Sequence, residues 1–130
     1  MLHRITPAAI CPPLANYSHA VEVPPNARWL YVSGQLGIAP DGTVPASCAE
    51  QAEACFANLL AILADAGMGT GDLVRLNTYL TDPNDRADYM AVRDRHVAAP
   101  PPASTLLIVR ALARPEFKIE IEAVAAQVGR

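Results

Sequence analysis

Residues 118–125 are KIEIEAVA, and this stretch decides the fold. Apolar side chains at Ile119 and Ile121 alternate with carboxylates at Glu120 and Glu122. Successive strand residues point to opposite faces of a sheet, so the pattern predicts a strand with one face on a core. The two carboxylates therefore share the face that points away from that core.

Four more strands are predicted before this one, at residues 16–23, 28–35, 73–81 and 104–110. Each is rich in β-branched, aromatic or other apolar residues and is bounded by turn-forming residues. The strand at 104–110 is apolar on both faces, which predicts a central position in the sheet.

Two helices are predicted between these strands. The first begins at a capping box formed by Ser47 and Glu50, and Gly67 is placed to end it in a left-handed conformation. The second is capped by Asp82 and extends to about residue 99, where three prolines stop it.

The resulting order is β-β-α-β-α-β-β, an α+β fold in one domain that spans residues 1–130. Two helices can cover only one face of such a mixed sheet. We expect apolar side chains on the other face, and a monomer rarely exposes such a patch. The sequence therefore predicts an oligomer that buries Trp29, Tyr31, Tyr79, Leu106 and Ile108.

Composition excludes several classes of function. The net charge is −3 with no run of Lys or Arg, so we expect no nucleic-acid partner. No apolar run approaches the ~20 residues of a membrane span, and no signal peptide is predicted. The three cysteines and three histidines show no metal-binding spacing, which predicts no metal site and free thiols in the cytoplasm.

The pair Glu120 and Glu122 has two interpretations from the residues alone. It is a charged pair on a solvated strand face, or one carboxylate orients water or accepts a proton in a partly dry cleft.

Three segments together resemble the Rid family of small proteins, the YjgF-type reactive intermediate deaminases. They are NYSHA at 16–20, VSGQL at 32–36 and RPEFKIEIEAVA at 114–125, with Pro102 and Ala103 before the late strand. The resemblance implies a chorismate-mutase-like fold and a homotrimer with small-molecule clefts between subunits. It also implies hydrolysis of enamines and imines to a keto acid and ammonia, without a metal or organic cofactor.

The resemblance also implies roles for individual residues. Tyr17 takes the place of the family's pocket tyrosine, and Glu120 that of the glutamate that positions the attacking water. Ser33 and Gly34 match the turn that supplies backbone donors to the substrate.

The chain departs from the family pattern in the substrate pocket. Family deaminases carry an arginine for the substrate carboxylate directly after the Pro-Ala pair, where this chain has Ser104. Leu106 replaces a common cysteine, Met90 a common asparagine and Arg93 a common aromatic residue. A serine cannot replace the charged, bidentate guanidinium, so we expect weak or absent 2-imino acid deaminase activity.

Three functions remain open at this point. The first is a deaminase-like hydrolase that uses Tyr17 and Glu120 on a small molecule, such as an imine or enamine, that lacks the usual amino-acid-derived carboxylate. The second is a non-catalytic binding or regulatory trimer, with Ser104 and Leu106 lining an apolar pocket. The third, RNA cleavage, is disfavoured by the acidic balance of the chain. The sequence does not show whether Arg75, Arg110 or another arginine replaces the missing one.

Overall fold

The computed structural model describes residues 1–129 and has the predicted α+β architecture. Its strands and helices are β1 (His3–Ile5), β2 (Ala20–Glu22), β3 (Arg28–Leu36), α1 (Cys48–Asp65), β4 (Leu73–Leu80), α2 (Arg86–His96), β5 (Ala103–Ile108) and β6 (Ile119–Gln127). Short 3₁₀ turns at Thr70–Asp72 and Pro83–Asp85 lead into β4 and α2.

The main sheet has the strand order β3-β6-β4-β5. The last strand, β6, runs antiparallel to β3 and β4, whereas β5 is parallel to β4, so the sheet is mixed. Helix α1 packs on one face, with Phe56, Leu59 and Leu63 fully buried against Ile119 and Ile121. The other face of the sheet, which we call the open face, carries no helix among residues 1–129.

The predicted ends of helix α1 are confirmed. Ser47 Oγ accepts a hydrogen bond from the Glu50 backbone N–H (3.1 Å) and donates one to Glu50 Oε1 (2.9 Å). Gly67 has φ +71°, and the N–H of Met68 returns to the Leu63 carbonyl (2.8 Å). This left-handed position favours glycine because it has no Cβ to clash with the backbone.

The second helix is shorter than predicted. Asp82 caps the 3₁₀ turn by accepting from the Asn84 N–H (2.9 Å), and α2 itself ends at His96. Val97 is already extended, with φ −93° and ψ 121°. The proline run at 100–102 disfavours helical geometry in Ala99, the residue before it, so the helix does not extend to residue 99 as predicted.

Two strand predictions are wrong in their extent or position. Of residues 16–23, only Ala20–Glu22 is a strand, and it pairs with His3–Ile5, which the sequence pattern did not reveal. Strand β5 lies at the edge of the sheet, because within residues 1–129 it pairs with β4 alone, and the other side of β4 pairs with β6. Its apolar residues therefore lack a second neighbouring strand within the chain.

The parallel register of β4 and β5 corrects the assignment of faces. Leu106 is level with Thr78 and Ile108 with Leu80, and both β4 residues are fully buried on the helix-covered side. Leu106 and Ile108 therefore lie on that side, whereas Leu107 shares the open face with Tyr79. The one-residue difference exchanges the faces because the side-chain period of a strand is two.

Gln51, fully buried on α1, ties the start of β6 to this helix. Its Nε2 donates to the carbonyls of Pro45 (2.8 Å) and Glu116 (2.9 Å), and its Oε1 accepts from the Lys118 N–H (2.8 Å). Gln51→Leu leaves these backbone groups without partners at ~1–3 kcal/mol each.

We therefore expect Gln51→Leu to lower the free energy of unfolding in urea by ~3 kcal/mol or more. The control Ala64→Leu, at an exposed position of the same helix, should change it by less than about 0.5 kcal/mol. Equal effects of the two substitutions would contradict this role for Gln51.

Candidate functional site

The structure divides the predicted site residues into two groups on opposite faces of the sheet. Tyr17, Met90, Ser104 and Leu106 line one cavity of about 220 Å³ on the helix side of β5. We call it the edge cavity. Its remaining lining residues are Leu14, Ala15, Arg86 and Arg93. Ser33, Gly34 and Glu120 belong to β3 and β6 instead, and Glu120 lies on the open face.

The loop that carries Tyr17 is fixed to the start of β5. Ser18 donates from its backbone N–H to the Pro102 carbonyl (2.9 Å) and from Oγ to the Pro101 carbonyl (2.6 Å). The Tyr17 hydroxyl accepts from the Leu14 N–H (3.3 Å), which leaves its own proton available to a ligand.

Helix α2 supplies the positive charge of the edge cavity. Arg86, Met90 and Arg93 are spaced at i, i+4 and i+7, which places them on one helix face. Arg93 is only 3% exposed. The sequence interpretation noted Arg93 merely as a departure from a family pattern and missed Arg86. This helical spacing is the signal that could have found both.

The two arginines that the sequence left open lie elsewhere. Arg75 is on the open face, where its Nη2 donates to Thr105 Oγ1 (2.8 Å). Arg110 is exposed beyond the end of β5. Among the described residues, the arginines that line the edge cavity are Arg86 and Arg93.

Gly34 makes room for Glu120. Strand β3 has one extra residue between Val32 and Gln35 relative to β6, a β-bulge that contains Ser33 and Gly34. A Cβ atom at Gly34 would lie 2.7 Å from Cδ of Glu120. A side chain at residue 34 would displace the Glu120 carboxylate, so the observed position of Glu120 depends on glycine at residue 34.

Glu122 is already engaged on the open face. Its Oε1 accepts from the Tyr79 hydroxyl (2.5 Å) and from Asn77 Nδ2 (3.3 Å). The first of these bonds is the main cause that raises the pKa of Tyr79. Glu120, in contrast, makes no side-chain hydrogen bond to any of residues 1–129. Of the two carboxylates, Glu120 is the one available to a water or a ligand.

The buried cysteines are not activated nucleophiles. Burial raises the pKa of Cys48 to about 11 and that of Cys55 to about 12, so both are protonated at neutral pH. Residues 1–129 contain no cluster of three or more His, Cys, Asp and Glu side chains that could hold a metal ion. In the same part of the chain, no helix is long and apolar enough to span a membrane.

Comparison with known proteins identifies the family. Residues 7–127 match the family model described as Endoribonuclease L-PSP. A protein of Yersinia pestis, YyfB, described as a member of the conserved Rid protein family, superposes with a TM-score of 0.87. It shares 33% sequence identity and is covered over 98% of its length by 97% of this chain.

The chain belongs to the Rid family.

Curated Rid relatives support the same assignment. The chain is 36% identical over 123 residues to the 2-iminobutanoate/2-iminopropanoate deaminase of Mus musculus, covering 93% of this chain and 85% of that protein. It is 40% identical over 120 residues to the RutC family protein y4sK of Sinorhizobium fredii, covering 91% and 89%. The chorismate-mutase-like α+β fold expected from the resemblance is confirmed.

Proposed function

We propose that this Rid protein is a homotrimer that hydrolyses an imine or enamine of a small molecule in clefts between its subunits. Its activity on 2-imino acids is weak or absent, because Ser104 stands where the family deaminases have an arginine. The reaction needs no metal or organic cofactor. The protein works in the cytoplasm, where Cys48 and Cys55 stay reduced.

One observation supports a cleft formed by two subunits: Glu120 and the edge cavity lie on opposite faces of one sheet. Within a single chain, the sheet separates the Glu120 carboxylate from the cavity that Tyr17 lines. In an assembly, the open face of one subunit can meet the edge cavity of the next. Closed symmetry then produces one complete site for each subunit.

Exposed aromatic residues on β3 support the assembly. Trp29 is 48% exposed and Tyr31 75% exposed, and their rings stack with centroids 6.3 Å apart. Leu107 adds a half-exposed side chain on the same open face. Such a patch is unusual on a monomer and typical of an interface.

Light scattering at micromolar concentration should give about three times the 13.8 kDa mass of the chain. Tyr31→Glu places a charge in the proposed interface and should yield smaller species. The control Ala61→Glu, on the exposed surface of α1, should leave the trimer intact. A soluble, folded wild-type monomer would contradict the proposal.

The chemistry follows from one carboxylate and one hydroxyl. Glu120 accepts a proton from a water whose oxygen bonds to the imine carbon, and it returns that proton to the imine nitrogen. This addition gives a carbinolamine. Glu120 then transfers the remaining hydroxyl proton to the amine nitrogen, the carbon–nitrogen bond breaks as the carbon–oxygen double bond forms, and the carbonyl product and ammonia leave. The Tyr17 hydroxyl donates a hydrogen bond to the charge that develops.

Release of ammonia from 2-iminobutanoate and 2-iminopropanoate should be at least ~100-fold slower than with a relative that has the arginine after Pro-Ala. A coupled assay that generates these imines in situ measures the rate. The same assay with imines of other aldehydes and ketones locates the preferred substrate. Hydrolysis of none of them by an intact trimer would favour the non-catalytic alternative.

A further inference from the structure

We infer that Arg93, assisted by Arg86, makes the edge cavity a binding site for a small organic carboxylate that is anchored from helix α2. The inference deepens the proposed function and rests on it, because it assigns the ligand class of the same cavity. Arg86 and Arg93 on α2 thus supply the positive charge that β5 lacks at Ser104.

The charge of the edge cavity points to an anion. Arg86 and Arg93 line it, and no carboxylate is among its lining residues. The net charge of the chain is −3, so the positive charge at this cavity is opposite in sign to the net charge of the protein. The walls at Met90 and Leu106 are apolar and partly buried, and electrostatic attraction is stronger beside them than in bulk water, whereas Leu14 is exposed.

The pairing of Arg93 within the chain is incomplete. Its Nε and Nη2 lie 3.4 and 3.3 Å from Asp94 Oδ1, longer than the ~2.7–2.9 Å of a good charge-assisted hydrogen bond. The Asp94 side chain is 50% exposed, and the same oxygen accepts from Asn16 Nδ2 (3.5 Å). The Tyr89 hydroxyl beside the guanidinium already shares a 2.6 Å hydrogen bond with Thr78.

A guanidinium has more N–H donors than these contacts use. The Arg93 side chain is only 4% exposed, so little water reaches its guanidinium, although none of its nitrogens is both buried and without a partner. A buried charge is costly unless it is well paired, and a ligand carboxylate would complete the pairing. The cavity is smaller than the ~300–1,000 Å³ of drug-sized sites, which favours a small monocarboxylate.

The position of the cation sets the specificity. A carboxylate held by Arg93 lies against α2, with Ser104 on the facing strand free to donate one hydrogen bond. An arginine at residue 104 would instead hold the carboxylate against β5. The imine carbon of a short 2-imino acid is bonded directly to its carboxylate. Holding the carboxylate at α2 instead of β5 therefore also moves the imine carbon away from the place where the attacking water reaches it. The ligand that suits this chain has its carboxylate farther from the imine.

Direct binding tests the inference without any turnover. Butanoate and its neutral isostere butanamide are titrated into the wild-type trimer by calorimetry. We expect the wild type to bind butanoate more tightly than butanamide. Arg93→Met should weaken butanoate binding by about tenfold to a hundredfold, and Arg86→Met by less, with butanamide binding unchanged in both.

Arg95→Met is the matched control. Arg95 is on the same helix, but it is exposed and pairs with Glu53 (3.3 Å) away from the edge cavity. It should bind butanoate like the wild type. Equal loss in Arg95→Met and Arg93→Met, or unchanged affinity in Arg93→Met, would overturn the inference.

A second measurement covers the case in which Arg93→Met does not fold. In the wild-type protein, butanoate should shift the Nε–Hε nuclear magnetic resonance signal of Arg93, and butanamide should not. The conservative variant Arg93→Lys should retain part of the butanoate affinity. An Arg93 signal that butanoate leaves unmoved at saturation would overturn the inference. That result would leave the trimer and the role of Glu120 untouched, whereas a monomer or an inert Glu120, found while butanoate still binds at Arg93, would identify the proposed function as the part that fails.

Discussion

Glu120→Gln should lower the turnover of the best imine substrate by ~10²-fold or more, the loss typical of removing a general base. The glutamine amide has the same shape as the glutamate and fits the same narrow space beside Gly34. That space is narrow because a Cβ atom on residue 34 would lie 2.7 Å from Cδ of Glu120. The amide cannot accept the proton of the attacking water. Steady-state kinetics should therefore show a large fall in kcat and little change in KM.

Glu122→Gln is the control for this experiment. Glu122 lies on the same strand face but is held by the Tyr79 hydroxyl and by Asn77. We expect this substitution to reduce kcat by less than about tenfold, because the carboxylate is engaged within the sheet. Undiminished turnover in Glu120→Gln, or a larger loss in Glu122→Gln, would contradict the assignment of the base.

Moving the guanidinium from residue 93 on α2 to residue 104 on β5 should change the substrate specificity in favour of 2-imino acids. The double variant Ser104→Arg/Arg93→Met should raise kcat/KM for 2-iminobutanoate by about tenfold to a hundredfold, because a guanidinium on β5 can hold the carboxylate bidentately. Arg93→Met is included so that two guanidinium groups do not repel each other within one small cavity.

Ser104→Met/Arg93→Met is the matched control, with a long side chain at residue 104 but no charge. It should show no gain on 2-iminobutanoate. If the arginine variant also gains nothing while its trimer persists, the cleft differs from the deaminase pocket at more than this position.

The sequence predicted the elements that bury a regular face. The alternation at 118–125 led to the correct orientation of Ile119 and Ile121, because burial on one side of a sheet imposes a period of two. The ends of α1 were also predictable, since Ser47 and Gly67 are required by local hydrogen bonding and backbone geometry.

Features set by long-range pairing were not predictable from local pattern. The apolar composition of β5 suggested a central strand, but β6 takes that place, and within the chain β5 is an edge. The short pairing of His3–Ile5 with Ala20–Glu22 joins segments too irregular to show alternation. The edge cavity likewise depends on a helix and a strand meeting in space. The helical spacing indicates that Arg86 and Arg93 share one face of α2, but only the structure shows that this face meets β5.

The central claim is that each site combines residues from two chains, and mixing two impaired variants tests it most directly. Glu120→Gln and Tyr17→Phe chains are unfolded, combined in equal amounts and refolded, and imine hydrolysis is compared with each variant alone. If Glu120 of one subunit serves the Tyr17 cavity of its neighbour, mixed trimers contain intact sites. Random assembly then restores about a quarter of the wild-type activity. Activity that stays at the level of the separate variants, in trimers shown to be mixed, would contradict the shared site.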